Sequence, residues 1–172
     1  MSRIYAEIPQ PEEVSTRERE DAMGAYLMMF GALAAGLPLP IINLIAAVVY
    51  YYVNRNKGRF VKFHALQSLY SQFPTTILNA VLIFWTIRNL TLIWNPETWE
   101  SDSPFAENSL FWGYVCVVIT ANLLYFIFSI LGAVRARKGR MYYFLFFGKL
   151  AHHLAFSVPN RAVTSHVNAP PK

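Results

Sequence analysis

The 172-residue chain is 55% hydrophobic and 16% aromatic, and its 15 Lys and Arg outnumber 10 Asp and Glu for a net charge of +5. That length suits one domain, but the apolarity exceeds that of an ordinary soluble domain and points to an integral membrane protein. The basic residues sit in short clusters beside apolar runs, as membrane orientation requires, so no nucleic-acid partner is expected.

Residues 1–21 form an acidic tail with Glu7, Glu12, Glu13, Glu18, Glu20 and Asp21 against Arg3, Arg17 and Arg19. It has neither the apolar core of a secretory signal nor the acid-poor composition of a transit peptide. Pro9 and Pro11 suggest extended chain, and Ser15 with Glu18 fits a capping box opening a helix near Ser15 or Thr16. Residues 22–53 then run without a charge. As one straight helix they would reach about 48 Å, well beyond the hydrocarbon thickness. "GLPLP" at 36–40 breaks the run, because each proline lacks an amide donor and crowds the preceding turn. Two readings stay open: a hairpin of short helices (22–36 and 40–54) with the N-terminus cytoplasmic, or one kinked span with the N-terminus outside.

Next comes a basic cluster of Arg55, Lys57, Arg59 and Lys62, and then a span over 64–94 with Arg88 near its far end. The following loop holds Glu97, Glu100, Asp102 and Glu107 and no basic residue. A second span, 110–134, leads to Arg135, Arg137, Lys138 and Arg140. The positive-inside rule places both basic clusters in the cytoplasm and the acidic loop outside. Trp94, Trp99 and Trp112 gather about that loop, where an interfacial aromatic belt belongs. Cys116, the one cysteine, reads as a small buried side chain. The aromatic stretch 141–157 is too short to cross and reads as an interfacial or re-entrant helix, with a flexible tail at 159–172. The basic clusters serve topology or contact lipid head groups.

A polar stripe crosses this apolar background. His64, Ser68, Ser71, Thr75 and Asn79 recur at helical spacing on one face, with Gln67 and Gln72 beside them. In lipid such groups turn toward other helices, each interhelical hydrogen bond contributing about 0.6–2 kcal/mol. The stripe of His64, Gln67, Ser68, Ser71, Thr75 and Asn79 is thus a helix-packing face or a contact for a partner. No Asp or Glu lies within a span to relay a proton from His64, and the adjacent His152 and His153 point apart. His166 sits far along the tail. No nucleophile motif, phosphate loop or metal-ligand spacing is present, so no catalytic residue, metal or cofactor is expected.

The order of these features, with "RFVKFHALQSL" and the A-x-x-G of "GAVRARKG" as the most specific pieces, resembles the Tic-twenty-like superfamily of small multi-span membrane proteins. That group includes a subunit of the chloroplast inner-envelope protein translocon and bacterial relatives without an agreed activity. The resemblance implies a four-helix transmembrane bundle with both ends cytoplasmic, and supports the hairpin reading of 22–53. With no transit peptide, the expected location is a bacterial inner membrane. The expected role is a non-enzymatic scaffold or accessory subunit that meets the bilayer and other membrane subunits or copies of itself. The alternative is a protein- or solute-conducting component.

Overall fold

Ser15 and Glu18 close the capping box that opens helix α1 (Thr16–Ala34) in the computed structural model, which describes residues 4–34, 40–94, 105 and 108–158. Ser15 Oγ accepts from the Glu18 amide at 3.3 Å, and the Glu18 carboxylate accepts from the Ser15 amide at 3.1 Å. Helix α2 (Pro40–Asn54) starts on a proline, whose missing N–H is harmless in a first turn. The proposed break itself, at 36–40, falls largely outside the described residues.

Helix α3 (Arg59–Ile93) has 35 residues and runs on through Pro74. It begins before the apolar pattern does, so Arg59 and Lys62 lie on its first turns instead of in a loop. Long basic side chains are good helix formers, and a helix of about 52 Å is longer than the roughly 30 Å of a bilayer core. The break before it is Gly58, whose φ of +155° an L side chain rarely adopts and where a Cβ would collide with the Glu18 carboxylate.

Helix α4 (Ser109–Arg137) is capped by Asn108, whose side chain accepts from the Phe111 amide at 3.0 Å. Its far end is a Schellman turn: Gly139 N–H donates to Ala136 O at 2.9 Å and Arg140 N–H to Arg135 O at 3.0 Å. Gly139 takes φ +70°, and a Cβ there would meet Pro11 O at 3.1 Å. Residues 141–144 then run without regular structure to a short helix, α5 (Leu145–Phe156), four residues later than the aromatic run suggests.

A two-residue strand β1 (Ile4–Tyr5) pairs antiparallel with β2 (Ser157–Val158), and Ala6 N–H donates to Phe156 O at 2.9 Å. The N-terminal segment is therefore not a free tail. Val14 is buried with Ala22, Tyr26, Phe60, Ala133 and Ala136, while Ala6 and Ile8 pack on Phe63, Leu66, Ala151, Ala155 and Phe156.

The architecture is all-helical apart from that strand pair. Helix α3 is central and touches each of the other four, while α1 also packs on α2 and α4. Among the described residues two helices, α3 and α4, are long and apolar enough to cross a membrane. Their outward faces carry Ile77, Phe84, Val117 and Leu123, each more than half exposed. Cys116 is exposed on the same kind of surface, against the buried position read from sequence. An outward face that meets lipid is as apolar as the core, so hydropathy alone cannot distinguish the two.

Candidate functional site

The first third of α3 carries the polar stripe into the most buried part of the molecule. His64 and Gln67 are fully buried, and Ser68, Ser71 and Gln72 nearly so. Tyr26 of α1 is their hub. Its hydroxyl lies 2.9 Å from His64 Nδ1, and Gln67 Nε2 donates to it at 2.8 Å. The other end of the Gln67 amide accepts the Phe144 backbone N–H at 3.1 Å, which fixes the amide orientation. The Tyr26 hydroxyl accepts from Gln67 and shares a second hydrogen bond with His64 Nδ1, while the buried His64 Nε2 has no hydrogen-bond partner among the described residues. The rings of Phe60 and Phe63 stand edge-on to that imidazole at 4.5 and 5.0 Å. One glutamine thus ties α1, α3 and the segment before α5 together. Packing reinforces the hub, because a Cβ on Gly132 of α4 would come within 2.8 Å of the Tyr26 ring.

Deeper along the stripe the bonds become more local. Ser68 Oγ donates to Ala25 O of α1 at 2.7 Å, whereas Ser71 and Thr75 bond back to carbonyls of their own helix, both at 2.9 Å. Asn79 and Asn122 of α4 exchange side-chain amide bonds in both directions at 3.1 Å. Gln72 is the exception. Among the described residues neither of its polar atoms has a hydrogen-bond partner, nor does the Tyr125 hydroxyl, although that hydroxyl lies beside Gln72, Ser68 and Ser129.

The basic residues collect at one end of the bundle, with the start of α1. Lys57 pairs with Asp21 at 3.0 Å and Arg137 with Glu20 at 2.6 Å, while the Arg55 guanidinium lies 4.8 Å over the Tyr52 ring. Arg19 reaches back to Pro11 O at 2.6 Å and Val14 O at 3.0 Å. Arg59, Lys62, Arg135, Lys138 and Arg140 belong to the same end, flanking the start of α3 and the end of α4. Tyr5 stacks on His152 and its hydroxyl sits 3.0 Å from His153 Nδ1. At the opposite end Trp85, Phe105, Phe111 and Trp112 form an aromatic cluster, and Trp112 Nε1 donates to Phe105 O at 2.8 Å. The acidic side chains Glu97, Glu100, Asp102 and Glu107, with Trp99, lie outside the described residues, as do His166 and the rest of the tail.

The sequence pattern identified the α3 side of this arrangement and missed its partners. Tyr26 and Asn122 each interrupt a long apolar run, the one signal that could have singled them out. Phe144 contributes through its backbone, which no side-chain pattern reveals.

Compared with known proteins, the chain matches one family model, over residues 18–151, and no curated protein and no solved structure matches it. This overturns the resemblance to the Tic-twenty-like superfamily, and with it the support for translocation. The residues that carried that resemblance have local reasons to exist. His64 and Gln67 serve the Tyr26 hub, and Ala136 and Gly139 build the Schellman turn. With well over half of its length matched, the chain belongs to the magnetosome magnetite crystal formation protein family, MamF/MmsF.

Proposed function

We propose that this chain is a non-enzymatic, multi-pass bacterial membrane protein that acts in magnetite crystal formation at the magnetosome membrane. The observation that carries the reading is the family match, taken together with the separation of charge along the chain. Both basic clusters meet the start of α1 at one end. The loop between the two long apolar helices carries Glu97, Glu100, Asp102 and Glu107 without a basic residue. Helices α1 and α2 enter as a short hairpin, α3 and α4 cross, and α5 lies at the basic, cytoplasmic interface. The Lys57–Asp21 pair supports the hairpin, since it joins the start of α1 to the turn after α2.

In this arrangement the acidic loop faces away from the cytoplasm, toward the inside of a membrane-bound compartment. Four carboxylates in a loop without a basic residue raise the local concentration of iron cations and offer oxygen ligands to a growing oxide surface. Iron is here the material of the crystal, not a resident cofactor. The buried polar groups support a structural role, because His64, Tyr26 and Gln67 are committed to one another. The protein then works by holding its loop at the membrane, alone or beside other membrane subunits or further copies of itself.

The test is complementation of a deletion strain with a variant carrying Glu97→Gln, Glu100→Gln, Asp102→Asn and Glu107→Gln together. The variant is expected to reach the magnetosome membrane at normal levels while crystals, sized by electron microscopy, stay as in the deletion strain. Normal crystals from that variant would exclude the acidic loop, and a deletion strain with normal crystals would exclude the function.

A further inference from the structure

Between α2 and α3, closed on one side by α5, lies a groove of about 350 Å³. Its floor is apolar, formed by Val48, Leu66, Leu69 and Leu154, and its rim holds Lys62 and Tyr52. Depth follows from position on the helix. Lys62 is in the first turns of α3 at the basic end, and Leu66 and Leu69 lie one and two turns further toward the bilayer interior. The rim is cationic and unneutralised. Among the described residues Lys62 has no carboxylate within ion-pair distance, and the Arg55 guanidinium stands over the Tyr52 ring at 4.8 Å. The neighbouring groove between α1 and α2 is different, since its Lys57 is paired with Asp21 at 3.0 Å.

We propose that the α2–α3 groove is a binding site for one anionic phospholipid. Its phosphate sits on Lys62, with Arg55 and the Tyr52 hydroxyl at the rim, and the first part of one acyl chain lies over Val48, Leu66, Leu69 and Leu154. Charge complementarity selects the head group, because a cation at the head-group level without a protein counter-ion attracts anionic lipid, and basic pockets between helices on the cytoplasmic side suit such groups. The apolar floor selects a lipid over a soluble phosphate ester. The volume, at the lower end for ligand pockets, fits a head group and part of a chain. This goes beyond the part in crystal formation and rests only on α3 lying in a bilayer.

Native mass spectrometry of the full chain in detergent tests it, with phosphatidylglycerol and phosphatidylcholine titrated in parallel. The wild type is expected to retain one phosphatidylglycerol preferentially. Lys62→Gln should weaken that retention about 5-fold, in line with the attraction of one interfacial charge, and leave phosphatidylcholine unchanged. Lys138→Gln, a cation outside the groove, should change neither. Leu154→Trp, which fills the groove and keeps Lys62, should also displace the lipid, so the result does not depend on a single variant folding. Equal losses from Lys62→Gln and Lys138→Gln would show diffuse attraction and overturn the site. Full retention in Lys62→Gln or Leu154→Trp, or displacement by glycerol phosphate, would overturn it as well.

Discussion

Two glutamines five residues apart on α3 have opposite standing. Gln67 uses both ends of its amide, on Tyr26 and on the Phe144 backbone, whereas Gln72 is equally buried and uses neither. A buried polar group left without a partner costs about 1–3 kcal/mol, and an apolar group of similar shape avoids that cost. Gln67→Met is therefore expected to destabilise the protein by about 1–3 kcal/mol, and Gln72→Met to be neutral or stabilising. Reversible unfolding in mixed micelles checks this, and equal losses at both sites would refute the distinction. Tyr26→Phe should fall with Gln67→Met, because it strands His64 Nδ1 and the Gln67 amide together. From sequence both glutamines look alike, flanking the same stripe. What separates them is whether a tyrosine 41 residues away reaches the amide, and that depends on how α1 is seated on α3.

At the scale of elements, the end of α4 and the N-terminal segment determine each other. Gly139 ends α4 in a left-handed turn, and the absence of its Cβ leaves room for Pro11 O and Arg19 Nε, which lie 3.1 and 3.2 Å from where that Cβ would stand. Gly139→Ala is expected to cost about 1 kcal/mol for the backbone alone. It should also loosen residues 6–14, read as faster limited proteolysis there with the other helices intact. Further along, the Asn79–Asn122 pair joins α3 to α4, and Asn122→Leu should cost about 0.6 kcal/mol, the usual size of an interhelical bond in membranes. The same unfolding measurement reads that value. Helix starts that depend on local chemistry were legible in the sequence, as Ser15 and Glu18 show. The start of α3 was not, since apolar pattern marks where a helix meets lipid and Gly58 marks where it begins. The strand pair of Ile4–Tyr5 with Ser157–Val158 was invisible, because two residues have no periodicity and their partners stand at opposite ends of the chain.

For the whole molecule, the fold brings both termini of the described chain and both basic clusters to one end. A cysteine at residue 7, an exposed position, is therefore expected to react with an impermeant maleimide only after right-side-out vesicles are opened. Labelling of closed vesicles would overturn the hairpin and favour the single kinked span. Native Cys116 is exposed on α4, and if α4 crosses the bilayer it should react with a lipid-soluble maleimide and resist a water-soluble one. The segregation of charge on which this expectation rests is legible from sequence alone, because it depends on where lysine and arginine sit along the chain.

Synthesis adds a constraint of its own. Tyr5 leaves the ribosome early, but its partner His153 is made 148 residues later. Until then the N-terminal segment has no strand to pair with and no Phe156 to cover Ala6 and Ile8. The cap over the basic end can thus close only once α5 has been made. A product truncated before α5 keeps that segment uncovered, so the clasp forms only on a chain that already carries α5 and Ser157–Val158.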